Sequence, residues 1–137
     1  MLKSVKVQDY MTTKLITFKP ETDLFAAIKV FTDHNISGAP VVNARGELVG
    51  MLSEVDCLQE ILSHTYHEDE KGGVVGDIMS GEVDTIASDA DIILLSEQFI
   101  AGKRRRLPVM KGGKLVGQIS RKDVLRAVRD FVINSGS

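Results

Sequence analysis

The sequence predicts a mixed α+β (α/β mixed) fold made of two copies of one strand–helix–strand–strand–helix unit, βαββα. Two observations carry that expectation. Residues recur at a fixed offset along nearly the whole chain, and each copy alternates helical apolar spacing with short apolar runs joined by glycine-bearing turns. At an offset of 68, Val7-Gln8-Asp9-Tyr10-Met11 aligns with Val75-Gly76-Asp77-Ile78-Met79, Thr17 with Thr85, Asp23 with Asp91, Phe31 with Phe99, and Pro40-Val41 with Pro108-Val109. One deletion in a turn brings the offset to 67. It then pairs Leu48-Val49-Gly50 with Leu115-Val116-Gly117, Ser53 with Ser120, Asp56 with Asp123, and Leu58 with Leu125. The matches fall on turn, core and capping positions. The copies are taken as residues 1–68 and 69–137.

Taken in order, residues 15–17 and 83–86 read as short strands after a polar turn. Residues 23–33 follow with Leu24, Ala27, Ile28 and Phe31 at helical spacing, and 91–101 repeat this with Ile92, Leu95 and Phe99. Ser88-Asp89-Ala90-Asp91 resembles a capping-box entry to the second of these helices. Strands at 39–42 and 48–52 flank Asn43-Ala44-Arg45-Gly46-Glu47, and strands at 107–110 and 115–119 flank Lys111-Gly112-Gly113-Lys114. Both connections read as hairpins. A helix closes each copy, at about 54–63 and about 121–133. A copy of that size buries little apolar surface alone, so the two are expected to share a core across a polar linker at about 64–74.

Composition narrows the function. The chain has 137 residues, 43% apolar and 26% charged, the balance of an ordinary globular protein. No apolar run approaches the ~18 residues of a membrane span, and the N-terminus MLKSVKVQDYM is too polar for a signal peptide. The single cysteine, Cys57, agrees with a reducing compartment, so a cytoplasmic protein is expected. A net charge of −2, few aromatics and no tryptophan argue against a nucleic-acid-binding protein.

The strand-ending Thr17 and Thr85, the ISGAPVV and RRLPVM strands, and the stretches GMLSEVD and GQISRKD occur in the same order twice and cover nearly the whole chain. This ordered set resembles a tandem pair of cystathionine-β-synthase-type (CBS) domains, a stand-alone Bateman module. The resemblance implies two copies packed with pseudo-twofold symmetry and two clefts between them, each able to bind an adenosine-containing ligand. It also implies association into a disc-shaped homodimer that regulates another protein. Such modules commonly sense AMP, ADP, ATP, S-adenosylmethionine or a dinucleotide such as NAD, and some bind none.

The strand-to-helix step offers chemistry that a nucleotide can use. A helix N-terminus presents unpaired N–H groups and partial positive charge, which suits phosphate. Ser53 or Ser120 adds a hydroxyl there, and Asp56 or Asp123, one turn in, can accept two hydrogen bonds from a ribose diol. Gly38-Ala39-Pro40 and Leu107-Pro108 are expected to line an apolar slot for adenine, with backbone beside Thr17 and Thr85 reading the base edge. Ser-x-x-Asp is also the pattern of a plain capping box, and the two roles are compatible. The copies differ between serine and aspartate: Glu54-Val55 in the first, Arg121-Lys122 in the second. Cations at a helix N-terminus oppose its dipole, so Arg121 and Lys122 either face an anion or reach into water. Glu54 repels phosphate, which makes the site at Asp123 the expected better phosphate binder.

Lys103-Arg104-Arg105-Arg106 is open to several readings: nucleic-acid contact, phosphate at the cleft, an acidic partner, or a solvated turn at a helix end. Arg106 abuts Leu107-Pro108 and is the member expected near ligand. Cys57 aligns with Val124 and reads as a core thiol. His64, His67, Glu68 and Asp69 lack the two-sided framework of a metal motif, and His34 reads as a helix end. No catalytic constellation repeats or converges, so no enzyme is expected. A ligand-independent dimerisation scaffold is the alternative to a nucleotide-binding regulator.

Overall fold

The structure, a computed structural model, describes residues 1–67 and 73–135, and the side chains of all of these but 64–67. The chain forms two compact units. One is Ile16–Val83, and the other joins Met1–Leu15 to Asp84–Ser137.

In the unit Ile16–Val83, helix α1 (Leu24–His34) begins where the Asp23 carboxylate accepts from the Ala26 amide at 3.1 Å. It buries Leu24, Ala27 and Phe31 and ends at Asn35, whose left-handed φ of 52° a short polar side chain tolerates. Strands β1 (Gly38–Val42) and β2 (Leu48–Ser53) form the expected hairpin, pairing Gly38 with Ser53 and Pro40 with Met51. In its turn the Asn43 side chain accepts from the amides of Arg45 and Glu47 at 2.9 and 3.0 Å. Helices α2 (Glu54–His67) and α3 (Val75–Ile78) complete the unit. The strand expected at 15–17 is reduced to one parallel bridge, Phe18 to Val41. The turn at Lys19–Thr22, closed by the Lys19 amide on Thr22 Oγ1, ends it at once.

In the other unit, β3 (Ile86–Ala87) runs parallel to β4 (Arg106–Lys111), which is antiparallel to β5 (Lys114–Ser120). Asp91 caps α4 (Ile92–Ala101) by accepting from the amides of Ile93 and Leu94, both at 2.9 Å. Gly112 and Gly113, with φ of 56° and 78°, make the tight turn that a two-residue hairpin needs. Helix α5 (Arg121–Ser135) follows directly from β5.

Two clusters of buried residues form, one in each unit. One gathers Phe18, Leu24, Ala27, Phe31, Ala39, Val41, Leu52, Cys57 and Val75. Within it the Phe18 and Phe31 rings meet edge to face at 5.5 Å. The other gathers Val7, Ile86, Leu95, Phe99, Leu107, Val109, Ile119 and Val124.

Val7 and Val75 show how spatial units differ from sequence copies. The segment that opens each copy in sequence is built onto the hairpin of the other copy. Thr12 exchanges backbone hydrogen bonds with Gln118 at 2.8 and 3.0 Å, and Ser80 does the same with Met51 at 2.9 Å each way. Glycine is required at both crossings. A Cβ at Gly117 would lie 2.6 Å from Met11 Sδ and 2.8 Å from the Thr12 carbonyl oxygen. One at Gly50 would lie 2.5 Å from Met79 Sδ and 2.8 Å from the Ser80 oxygen.

Candidate functional site

Each unit presents the same step from hairpin to helix. At the first, the Ser53 amide donates to Asp56 Oδ2 at 2.9 Å and the Asp56 amide donates to Ser53 Oγ at 3.2 Å. The Glu54 amide donates to the Ser37 carbonyl at 3.0 Å. At the second, the Ser120 amide donates to Asp123 Oδ2 at 2.8 Å, the Asp123 amide donates to Ser120 Oγ at 3.3 Å, and the Arg121 amide donates to the Arg105 carbonyl at 3.1 Å. Both steps are therefore reciprocal capping boxes. Among the described residues, the amides of Val55 and Lys122 are left as first-turn donors with no partner.

The second step carries more charge. Ser120 Oγ also donates to Asp123 Oδ2 at 3.0 Å, and Arg126 Nη2 donates to Asp123 Oδ1 at 3.1 Å. Arg126 is held in turn by the Tyr10 carbonyl at 3.1 Å and by the face of the Tyr10 ring, 5.4 Å from its centroid. Tyr10 Oη donates to Asp130 Oδ2 at 2.9 Å. That hydrogen bond pushes the Tyr10 phenol above its ordinary range, while bonds from Arg129 and Tyr10 hold the Asp130 carboxyl below its own.

A cavity of about 220 Å³ opens at this step, lined by Thr12, Arg106, Gln118, Ile119, Ser120 and Asp123. Arg106, Ser120 and Asp123 of the sequence-predicted set are thus brought together. Arg121 is not with them. It lines a separate, mainly apolar groove with Ser96, Phe99, Ile100, Gly102, Val124 and Leu125. Ala39, Pro40, Leu107 and Pro108 are buried in their strands, Gly38 is half-buried, and Thr17 is exposed beside the Phe18 bridge. Thr85 is half-buried, with its carbonyl accepting from Gln98 Nε2 at 2.9 Å.

Four residues at this site were not anticipated: Thr12, Gln118, Ile119 and Arg126. The signals were present, since Thr12 follows the repeated Met11 and Gln118 interrupts an apolar strand where its twin is Met51. The run Lys103–Arg106 is exposed, and Arg104 pairs with Asp84 at 3.4 Å. Cys57 is a buried thiol as read, pushed above its ordinary pKa by burial first and by the charges of Asp56 and Glu54 next. Among the described residues no cluster of three or more metal-ligating side chains occurs. The candidate set His64, His67, Glu68 and Asp69 lies outside the described side chains. Among the described residues no helix is long and apolar enough to cross a membrane.

Comparison with known proteins agrees with this doubled geometry. The structure of CBSX2 from Arabidopsis thaliana in complex with AMP is 28% identical, with a TM-score of 0.79, covering 93% of this chain and 98% of that one. A putative acetoin utilization protein (AcuB) from Vibrio cholerae is 25% identical, with a TM-score of 0.81, covering 97% of each chain. An uncharacterised protein of Methanocaldococcus jannaschii is 28% identical over 129 residues, which is 93% of this chain and 45% of that protein's length. The CBS domain model matches twice, at residues 7–63 and 75–130. The chain belongs to the CBS domain family and carries a tandem pair of these domains.

Proposed function

We propose that this chain is a regulatory module that binds an adenine nucleotide at its two hairpin-to-helix steps and passes the occupancy to a protein it controls. The observation that carries this reading is the doubled Ser-x-x-Asp step, Ser53/Asp56 and Ser120/Asp123, built with nearly the same backbone and side-chain bonds twice. The related CBSX2 was crystallised with AMP, which supports an adenosine-containing ligand.

In this reading Ser53, Asp56, Ser120 and Asp123 hold ribose and phosphate. Backbone at Thr17, Gly38, Ala39 and Pro40, and at Thr85, Leu107 and Pro108, frames the base, while Arg106 faces phosphate. AMP, ADP, ATP, S-adenosylmethionine and NAD are the candidate ligands. Arg121, which lines the separate groove, is given no part in holding this ligand, and the role proposed is cytoplasmic and non-catalytic.

Self-association into a homodimer is part of the proposal. Leu58 and Leu125, equivalent in the repeat, are 63% and 68% exposed, and Ile61, Leu62, Ile100 and Val132 are exposed with them. Those same faces favour a second reading, a scaffold whose Ser-x-x-Asp steps are caps only.

A thermal-shift screen of the five adenosine compounds separates the two readings. A ligand at ~100 times its dissociation constant stabilises by ~2.7 kcal/mol, a visible rise in Tm. No rise with any of them at millimolar concentration favours the scaffold.

A further inference from the structure

We infer that Gln118 makes the second site selective for a phosphorylated nucleoside, its side-chain amide donating to a phosphoryl oxygen seated in the cavity at Arg106, Ser120 and Asp123. This rests on the nucleotide-binding reading above and adds to it a residue that the Ser-x-x-Asp pattern does not contain.

Gln118 is 8% exposed, and its Nε2 is the buried side-chain atom left without a hydrogen-bond partner among the described residues. A buried amide donor without a partner is unfavourable and uncommon, so a turn of the side chain that gives it an acceptor is favoured. Gln118 lines the cavity while its backbone N–H and C=O are both taken by Thr12, which fixes where the side chain starts. The terminal torsion of glutamine is soft, so the amide turns toward an acceptor at little cost.

The other lining groups define the acceptor. Arg106 brings a guanidinium, Thr12 and Ser120 bring hydroxyls, and Ile119 is apolar. The one carboxylate, Asp123, already accepts from Ser120 at Oδ2 and from Arg126 at Oδ1, so its charge is engaged within the protein. A neutral donor beside a cation suits an anionic oxygen, because such bonds are charge-assisted. At about 220 Å³ the cavity is smaller than the ~300 Å³ at which whole-ligand pockets begin, a size for phosphate and part of a sugar. The equivalent residue of the first unit is Met51, which has no donor to offer. The two sites therefore differ in chemistry at one position of nearly equal side-chain length.

The test is titration calorimetry with AMP and with adenosine on the full chain, in an Asp56→Asn background that silences the first site. Expected for Gln118→Met is a loss of AMP affinity of about tenfold or more, with adenosine affinity changed less than about threefold. Without ligand, Gln118→Met is expected to raise Tm, because the unpaired amide is gone. Equal AMP affinity in the two proteins, or equal losses for AMP and adenosine, overturns the assignment while leaving nucleotide binding intact. A lowered Tm without ligand overturns it too, by revealing a partner for the amide inside the protein. If the Asp56→Asn protein binds neither compound, the regulatory reading of this site fails and the assignment with it.

Discussion

Gly117→Ala tests whether the N-terminal segment is built onto the second hairpin as described. Gly117 has no left-handed φ, so backbone entropy alone predicts stabilisation by ~0.4–1 kcal/mol. The contacts predict the opposite sign. The new methyl group meets Met11 Sδ at 2.6 Å, which a flexible side chain can yield, and the Thr12 carbonyl oxygen at 2.8 Å, which it cannot. Thr12 can retreat only by giving up its hydrogen bonds with Gln118, 2.8 and 3.0 Å long. Overpacking costs ~1–3 kcal/mol and the two lost bonds about 1 kcal/mol each, so after the entropy gain the net destabilisation is about 2–4.5 kcal/mol. The chain lacks tryptophan, so urea unfolding followed by far-UV circular dichroism is the assay. At a typical slope of ~1–3 kcal/mol per molar, the midpoint falls by about 1–2 M. Gly81→Ala is the control, since nothing lies within 4 Å of its Cβ, and its midpoint should hold or rise. Met11→Ala added to Gly117→Ala should recover part of the loss, because the Thr12 contact persists. A Gly117→Ala protein as stable as wild type would refute this placement of Met11-Thr12.

Three further outcomes are expected. Asp123→Asn should weaken AMP binding more than Asp56→Asn does, because Arg106 and Gln118 line the cavity at Asp123; affinities measured by calorimetry decide, and the reverse order rejects the ranking. Cys57 is 4% exposed with its thiol pKa raised, so its reaction with a disulfide reagent at pH 8 should be on the order of 100-fold slower than in denaturant. The Tyr10–Asp130 pair should make stability pH-dependent at both extremes. Asp130, depressed in the fold, stabilises above pH ~4, and that contribution is lost as pH falls through its folded pKa. Tyr10, raised in the fold, stabilises below pH ~10, and that contribution is lost as pH rises through its folded pKa. Urea midpoints of Asp130→Asn should be flatter than wild type in both windows.

The local elements were legible because local chemistry specifies them. Asn43-x-x-Gly46 and Gly112-Gly113 turn hairpins, and Ser53/Asp56 and Ser120/Asp123 close their boxes, whereas at the box expected over Ser88–Asp91 it is Asp91 that caps, accepting from the Ile93 and Leu94 amides. The exchange of Val7–Thr12 and Val75–Ser80 between copies was not legible. An alignment orders the segments along the chain but does not say which hairpin each one pairs with. The strand at 15–17 was overread because Phe18 supplies one bridge before the Lys19–Thr22 turn closes.

The candidate site was legible where it repeats and obscure where it does not. Arg121 precedes Asp123 by two residues, a step of about 200° around a helix, so it leaves the cavity for the groove beside Leu125. Gln118 was not singled out within the strand at 115–119, because what marks it is a bond its side chain does not make, and only three-dimensional burial exposes that.

The most direct test of nucleotide binding is titration calorimetry of the wild-type chain with AMP, beside the double variant Asp56→Asn, Asp123→Asn. Saturable binding to wild type and its loss in the folded double variant is the predicted result. Absence of binding by wild type at millimolar AMP, or undiminished binding by the double variant, would contradict the assignment of these two steps as the nucleotide sites.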